Sequence, residues 1–210
     1  MTQRLPIARE GWPFILVPGA VAVALALTGR RALAAPFAAA SLASLGFFRD
    51  PDRAVPELAS AVLSPADGRV TAVDEAVDAF VGAAVRVSIF LSPLDVHVNR
   101  APIGGLVVDT AYTRGRFVAA YKPEAGEVNE RCVIRIQGET ARVTVVQIAG
   151  VVARRIVCRV AAGDKLAAGE RIGLIRFGSR TDCYMPRGTI VPVARGDRVV
   201  GGATVLGTLP

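Results

Sequence analysis

The 210-residue sequence contains one histidine, His97, and three cysteines, Cys132, Cys158 and Cys183. One histidine excludes a multi-histidine zinc or copper centre, and no metal ligands are expected. Cysteines this far apart build neither a disulfide framework nor a Cys-x-x-Cys knuckle, which points to an intracellular or at least disulfide-free protein. Aromatic residues are scarce at 6%, and charged residues reach only 20%, against about 25% in ordinary soluble domains. Apolar residues take their place, at 52% of the chain with a mean hydropathy of +0.43. That richness excludes disorder. The length suits one compact domain of about 150 residues and a further segment.

Lysine and arginine number 25 against 18 acidic residues, for a net charge of +7. Such an excess fits nucleic acid, an anionic membrane surface or an anionic substrate. Nucleic-acid binding calls for a basic cluster with interleaved aromatics. Here the arginines stand singly or in pairs such as Arg30–Arg31 and Arg154–Arg155, so no nucleic-acid partner is expected.

The membrane reading draws on the first fifty residues. Trp12 to Leu27 carries no charge, and after Arg30–Arg31 a second uncharged run extends from Ala32 to Phe48. Each run is about 17 residues, the lower limit for a spanning helix. Trp12 and Phe47–Phe48 lie at the outer ends, where aromatics favour the interface. A signal peptide, a helical hairpin packed on the protein's own core, and a membrane hairpin all compete. The second run and the intervening arginines count against a signal peptide. A membrane hairpin, spanning or partly inserted, is the favoured expectation. Arginines at both ends and at the turn leave its orientation open.

The composition divides the chain into a hydrophobic hairpin (1–48), a proline-punctuated linker (49–60) and a β-rich domain (61–210). Strands are predicted at Val85–Leu91, Cys132–Gln137, Arg142–Ile148, Arg154–Val160 and Ile172–Phe177. No long amphipathic helical pattern follows Pro56, so the second part is expected to be all-β. Ser64–Val70 and Met185–Ile190 share a proline–glycine–β-branched pattern. Ala162–Gly169 and Arg195–Gly202 share a Gly-Asp turn leading to a second glycine turn. Such pairs resemble the hammerhead segments of barrel-sandwich hybrids, without the lysine that carries lipoate or biotin. The fold class predicted is therefore mainly β, a barrel-sandwich-hybrid-like domain preceded by the helical hairpin.

Four segments carry candidate chemistry. Asp67 sits in Ser64-Pro-Ala-Asp-Gly68, which alone reads as a plain Asp-Gly turn. In Leu91-Ser-Pro-Leu-Asp95-Val-His97-Val-Asn99-Arg100, strand alternation would put Asp95, His97 and Asn99 on one face. A lone histidine is more often structural than catalytic, but these neighbours shift the reading towards function. Asn129-Glu-Arg131 alone is a solvated turn. Phe177-Gly178-Ser179-Arg180 alone says nothing.

Together, in this order and spacing, they resemble the short form of the phosphatidylserine decarboxylase family of proenzymes. The matching pieces are Phe-Phe-Arg-Asp-Pro (47–51), Ser-Pro-x-Asp-Gly (64–68), Leu-Ser-Pro-x-Asp-x-His (91–97), Asn-Glu-Arg (129–131), Gln-Ile-Ala-Gly with Ala-Arg-Arg-Ile-Val (147–157), and Phe-Gly-Ser (177–179). They span nearly the whole chain.

The resemblance implies a carboxy-lyase that converts phosphatidylserine to phosphatidylethanolamine and makes its own cofactor, a covalent pyruvoyl group. Ser179 would attack the Gly178 carbonyl, and elimination would leave a pyruvoyl group from Ser179 that forms a Schiff base with the substrate amine. Asp67 and His97 would assist self-cleavage with the logic of a Ser-His-Asp triad, and a histidine is also the natural proton donor in decarboxylation. The implied partners are phosphatidylserine and the lipid surface. The two cleavage chains would form a heterodimer, and a dimer of that pair. The implied location is the cell membrane, with the catalytic part on the cytoplasmic face. The sequence departs from the family at Arg100, where longer members have a second histidine, and at Gly-Ser-Arg in place of Gly-Ser-Ser or Gly-Ser-Thr. A non-catalytic, membrane-anchored barrel-sandwich adaptor of a transport assembly is the alternative, and it leaves Gly178–Ser179, Asp67 and His97 unexplained.

Overall fold

The computed structural model describes residues 6–58, 60–151, 155–176 and 178–210. Arg154 and Phe177, which the strand expectations included, lie outside them. The chain divides into two units, 1–52 and 53–210.

In the first unit, alanine- and leucine-rich stretches form α1 (Trp12–Leu27) and α2 (Arg31–Phe47), as their helix propensity favours. Gly29, at φ +77°, turns the chain between them, a conformation glycine adopts without steric penalty. Ser41 Oγ donates to the Ile15 carbonyl at 2.7 Å and ties the two helices. Phe48 stacks on Phe14, and its carbonyl accepts the Ala8 amide. Leu16, Val17, Val23, Leu27, Leu33 and Leu42 remain exposed. The 19-residue segment Arg9–Leu27 is long and apolar enough to cross a membrane, while α2 is shorter, at 17 residues.

The regular elements of the second unit are strands, apart from one helical turn. These are β1 (Ala61–Leu63), β2 (Gly68–Asp78), β3 (Gly82–Leu91), β4 (Val98–Arg100) and β5 (Gly105–Thr113). A single helical turn, α3 (Ala125–Val128), precedes β6 (Arg131–Gln137), β7 (Arg142–Ile148) and β8 (Ile156–Cys158). The rest are β9 (Lys165–Leu166), β10 (Arg171–Ile175), β11 (Ser179–Pro186), β12 (Arg198–Val199) and β13 (Val205–Thr208). A curled eight-stranded sheet runs β12-β2-β3-β11-β7-β6-β5-β9, beside a three-stranded sheet β4-β10-β8 and the pair β1-β13. Val87, Ile89 and Leu91 of β3, Ile134 and Ile136 of β6, Val143 and Val145 of β7, and Cys183 and Met185 of β11 form the core. Their period of two puts each set on one face. The protein is mainly β, with an apolar helical pair preceding the strands in sequence, as the sequence predicts.

The eight-stranded sheet repeats itself. β2 and β3 pair Val70 with Ile89, then slip by one residue; β5 and β6 pair Val107 with Ile136 and slip at the same place. Added Cβ atoms at Gly68 and Gly105 would lie 2.2 and 2.3 Å from the carbonyl oxygens of Phe90 and Gln137. The hammerheads match too. Gly163 donates to the Val107 carbonyl and Gly196 to the Val70 carbonyl, both at 2.8 Å, while Asp164 and Asp197 each accept the amide three residues back at 2.8 Å. Exchanging the halves carries the pair Asp182–Val146 onto Tyr184–Thr144, so a local two-fold axis passes between Cys183 and Val145. By this register the partner of Ser64–Val70 is Ala101–Val107 rather than the similar-looking Met185–Ile190. The sequence expectation missed it because proline and glycine are the only identities the two stretches share before their valines.

Candidate active site

β11 begins at Ser179, paired with Leu91 of β3, and continues with Arg180 between Phe90 of β3 and Ile148 of β7. The hydroxyl of Ser179 is fully buried and has no hydrogen-bond partner among the described residues. An unsatisfied buried hydroxyl costs about 1–3 kcal/mol, so its retention asks for a reason. Gly178 just before it holds φ at +65°, a left-handed conformation that costs other residues about 1–2 kcal/mol.

His97, fully buried, meets this bond. The Gly178 N–H donates to His97 Nε2 at 3.3 Å, so Nε2 carries the lone pair. Nδ1 then carries the proton and donates it to the Asp95 carbonyl at 2.9 Å. The imidazole is thereby held as one neutral tautomer, its basic nitrogen one residue from Ser179.

The expected extended face of Asp95, His97 and Asn99 does not form. β4 starts only at Val98, and the bond from the His97 ring to the Asp95 carbonyl needs a bend. The Asp95 carboxylate instead accepts the Ser92 amide and hydroxyl at 2.9 and 2.7 Å, and pairs with Arg198. Asn99 turns inward. Its Nδ2 donates to the Pro65 carbonyl and to Thr181 Oγ1, and its Oδ1 accepts Gln147 Nε2 at 2.8 Å. Thr181 follows Ser179 by two residues, so this buried amide network lies on the serine's side of β11.

Asp67 is held by Arg53 at 2.7 Å and by the Gly201 amide at 2.8 Å. The hydrogen bonds described for Asp67 and His97 therefore go to different groups, with Pro65 linking the Asp67 turn to Asn99 and to the Arg100 amide. Arg100, at the family's second histidine position, is buried, and its Nη1 donates to the Gly169 carbonyl at 2.9 Å. Asn129 is no solvated turn. It is buried, exchanges two hydrogen bonds with the Val118 backbone, and donates to the Ala149 carbonyl at 2.7 Å.

Sequence reasoning missed three elements. Arg180 forms a buried two-pronged pair with Asp182, both bonds 2.7 Å, and also reaches the Lys122 carbonyl. Their separation by two residues on a strand was the available signal. Gln147, Asn99 and Thr181 are too far apart in sequence for spacing to reveal. Cys132 and Cys158, 26 positions apart, are coupled so that the Cys158 thiolate is favoured and that of Cys132 disfavoured. Burial pushes the Cys183 thiol up, leaving it protonated in the strand that Ser179 begins.

The profile of the phosphatidylserine decarboxylase family matches residues 42–207. Curated relatives named phosphatidylserine decarboxylase proenzyme are similar along almost their whole length. One from Burkholderia mallei is 46% identical over 206 residues, covering 97% of this chain and 95% of its own. One from Nitrosomonas europaea is 48% identical over 202 residues, covering 95% and 94%. One from Symbiobacterium thermophilum is 50% identical over 211 residues, covering 99% and 98%. The mainly β fold and these relatives define a decarboxylase of a generally pyruvoyl-dependent kind. The chain belongs to the phosphatidylserine decarboxylase family.

Proposed function

We propose that Gly178–Ser179 is the self-cleavage bond of an enzyme that decarboxylates phosphatidylserine to phosphatidylethanolamine. The observation that carries this is the buried Ser179 hydroxyl, without a hydrogen-bond partner among the described residues, beside a left-handed glycine whose amide is bonded to His97 Nε2. Ser179 Oγ attacks the Gly178 carbonyl carbon while its proton passes to His97 Nε2. The C–N bond then breaks, the amine takes a proton, and an ester joins the two residues. Loss of the Ser179 Cα proton expels the Gly178 carboxylate and leaves dehydroalanine, which water converts to a pyruvoyl group and ammonia.

The site fits that group. Ser179 lies at a strand start whose following residues stay hydrogen-bonded to β3 and β7, so the new terminus keeps its place and the two chains remain a heterodimer. The pyruvoyl ketone supplies an electron sink when the substrate carboxylate leaves as CO2. His97 Nε2 takes the proton that the substrate ammonium gives up as its amine condenses, and then delivers it to the carbon that lost the carboxylate. Asp67 supports the site through Arg53 and the Gly201 amide, as a positioning residue.

The exposed leucines and valines of α1 and α2 support anchoring to the cell membrane, with residues 49–60 as linker and 61–210 as a catalytic domain at the cytoplasmic face. The net charge of +7 favours anionic leaflets, at about 1 kcal/mol per well-placed basic residue. The test is turnover on phosphatidylserine vesicles. Wild-type protein releases CO2 and forms phosphatidylethanolamine, and Ser179→Ala releases none. CO2 release by Ser179→Ala refutes the assignment.

A further inference from the structure

We propose that Gly150 is the seat of the scissile carbonyl, required for self-cleavage because no side chain fits beneath Gly178; this rests on reading Gly178–Ser179 as the cleaved bond. A Cβ at Gly150 would lie 2.2 Å from the Gly178 carbonyl oxygen and 3.2 Å from its carbon. Separations under 3.0 Å are essentially never seen for a Cβ, and both contacts are backbone, which has no flexible end to move aside. The two glycines are thus needed for opposite reasons. Gly178 has a left-handed φ and nothing among the described residues within 4 Å of its missing Cβ; Gly150 has no left-handed φ and no space.

The seat is fixed from behind. Ala149 donates its amide to the Glu130 carbonyl at 2.9 Å and offers its own carbonyl to Asn129 Nδ2 at 2.7 Å. Asn129 also grips both backbone groups of Val118, on the stretch that carries Ala120, whose Cβ would come within 3.3 Å of an added Gly150 Cβ. The Asn-Glu-Arg and Gln-Ile-Ala-Gly segments, distant in sequence, therefore meet to hold one residue under one carbonyl. The Hα of Gly150 that replaces Cβ points at the oxygen, where a weak C–H···O contact forms. As Ser179 Oγ bonds to the Gly178 carbon, the carbonyl π electrons move onto that oxygen, and the seat keeps it from swinging out of the path of attack.

Full-length chain made by cell-free translation, followed over time by denaturing mass spectrometry, tests this. Gly150→Ala is expected to slow the appearance of the 179–210 fragment on the order of 10²-fold, the cost of an ångström-scale misplacement, while still melting cooperatively. Hydroxylamine, which cleaves esters and spares amides, should release no fragment from it, because the block precedes the ester. Cleavage at the wild-type rate, or fragment release by hydroxylamine, overturns the proposal. Should Gly150→Ala fail to melt cooperatively, Asn129→Ser frees the Ala149–Gly150 turn without filling the space. Slower cleavage then supports the seat and an unchanged rate overturns it. Ser179→Ala runs alongside: if that variant cleaves, the reading of the bond itself is wrong, whereas an inert Ser179→Ala with a normal Gly150→Ala removes only the seat.

Discussion

The two halves of the eight-stranded sheet share a slip, a hammerhead and a Pro-x-x-Gly turn, yet differ at one end. In one half β6 and β7 close as a hairpin, with the Gly138 amide donating to the Ala141 carbonyl. In the other, the matching strands β3 and β11 are far apart in sequence and lie open at Leu91 and Ser179. The turn residue Asp67 has Gly104 as its counterpart, and the buried Arg180–Asp182 pair stands where the other half has Arg142 and Thr144. Features common to both halves belong to the fold. Features of one half alone are Gly178–Ser179, Asp67 and the ion pair, and the proposed chemistry lies among them.

His97 lies in the connection after β3 and has no role in the symmetric frame. His97→Ala should slow fragment formation by about 10²–10⁴-fold while circular dichroism stays native; normal cleavage without turnover would confine the histidine to decarboxylation. Asp182→Ala strands a buried guanidinium and should cost about 3–5 kcal/mol in urea unfolding. The matching Thr144→Ala, which loses a single bond to Asp78, should cost about 1–2 kcal/mol. Equal losses would show that the ion pair is ordinary framework. Ile89→Ala and Ile136→Ala occupy equivalent core positions and should each cost about 2–5 kcal/mol, with similar values; a wide gap breaks the symmetry. Asp67→Gly copies Gly104 and should leave a folded chain, weaker by about 1–3 kcal/mol, with slowed cleavage. Unaltered cleavage would return Asp67 to the framework.

β3, β6 and β7 were legible because apolar and polar residues alternate along them, and the helical pair because its two runs lack charge. β11 was not read as a strand. Arg180 and Asp182 break its alternation, and only their mutual pairing makes burial affordable. β2 was hidden by the consecutive acids Asp74 and Glu75, which put a charge on each face of the strand. Ser179, Gly178 and His97 were legible through motif order. The roles of Asn99, Gln147, Asn129 and Gly150 were not, since each is defined by a partner brought from another strand.

The central claim is that the backbone breaks between Gly178 and Ser179. Denaturing mass spectrometry of the purified protein should show two chains, the smaller spanning the 32 residues from 179 to 210, its N-terminus blocked and reactive towards a hydrazide. A single intact chain of 210 residues in a preparation that turns over phosphatidylserine would contradict the account.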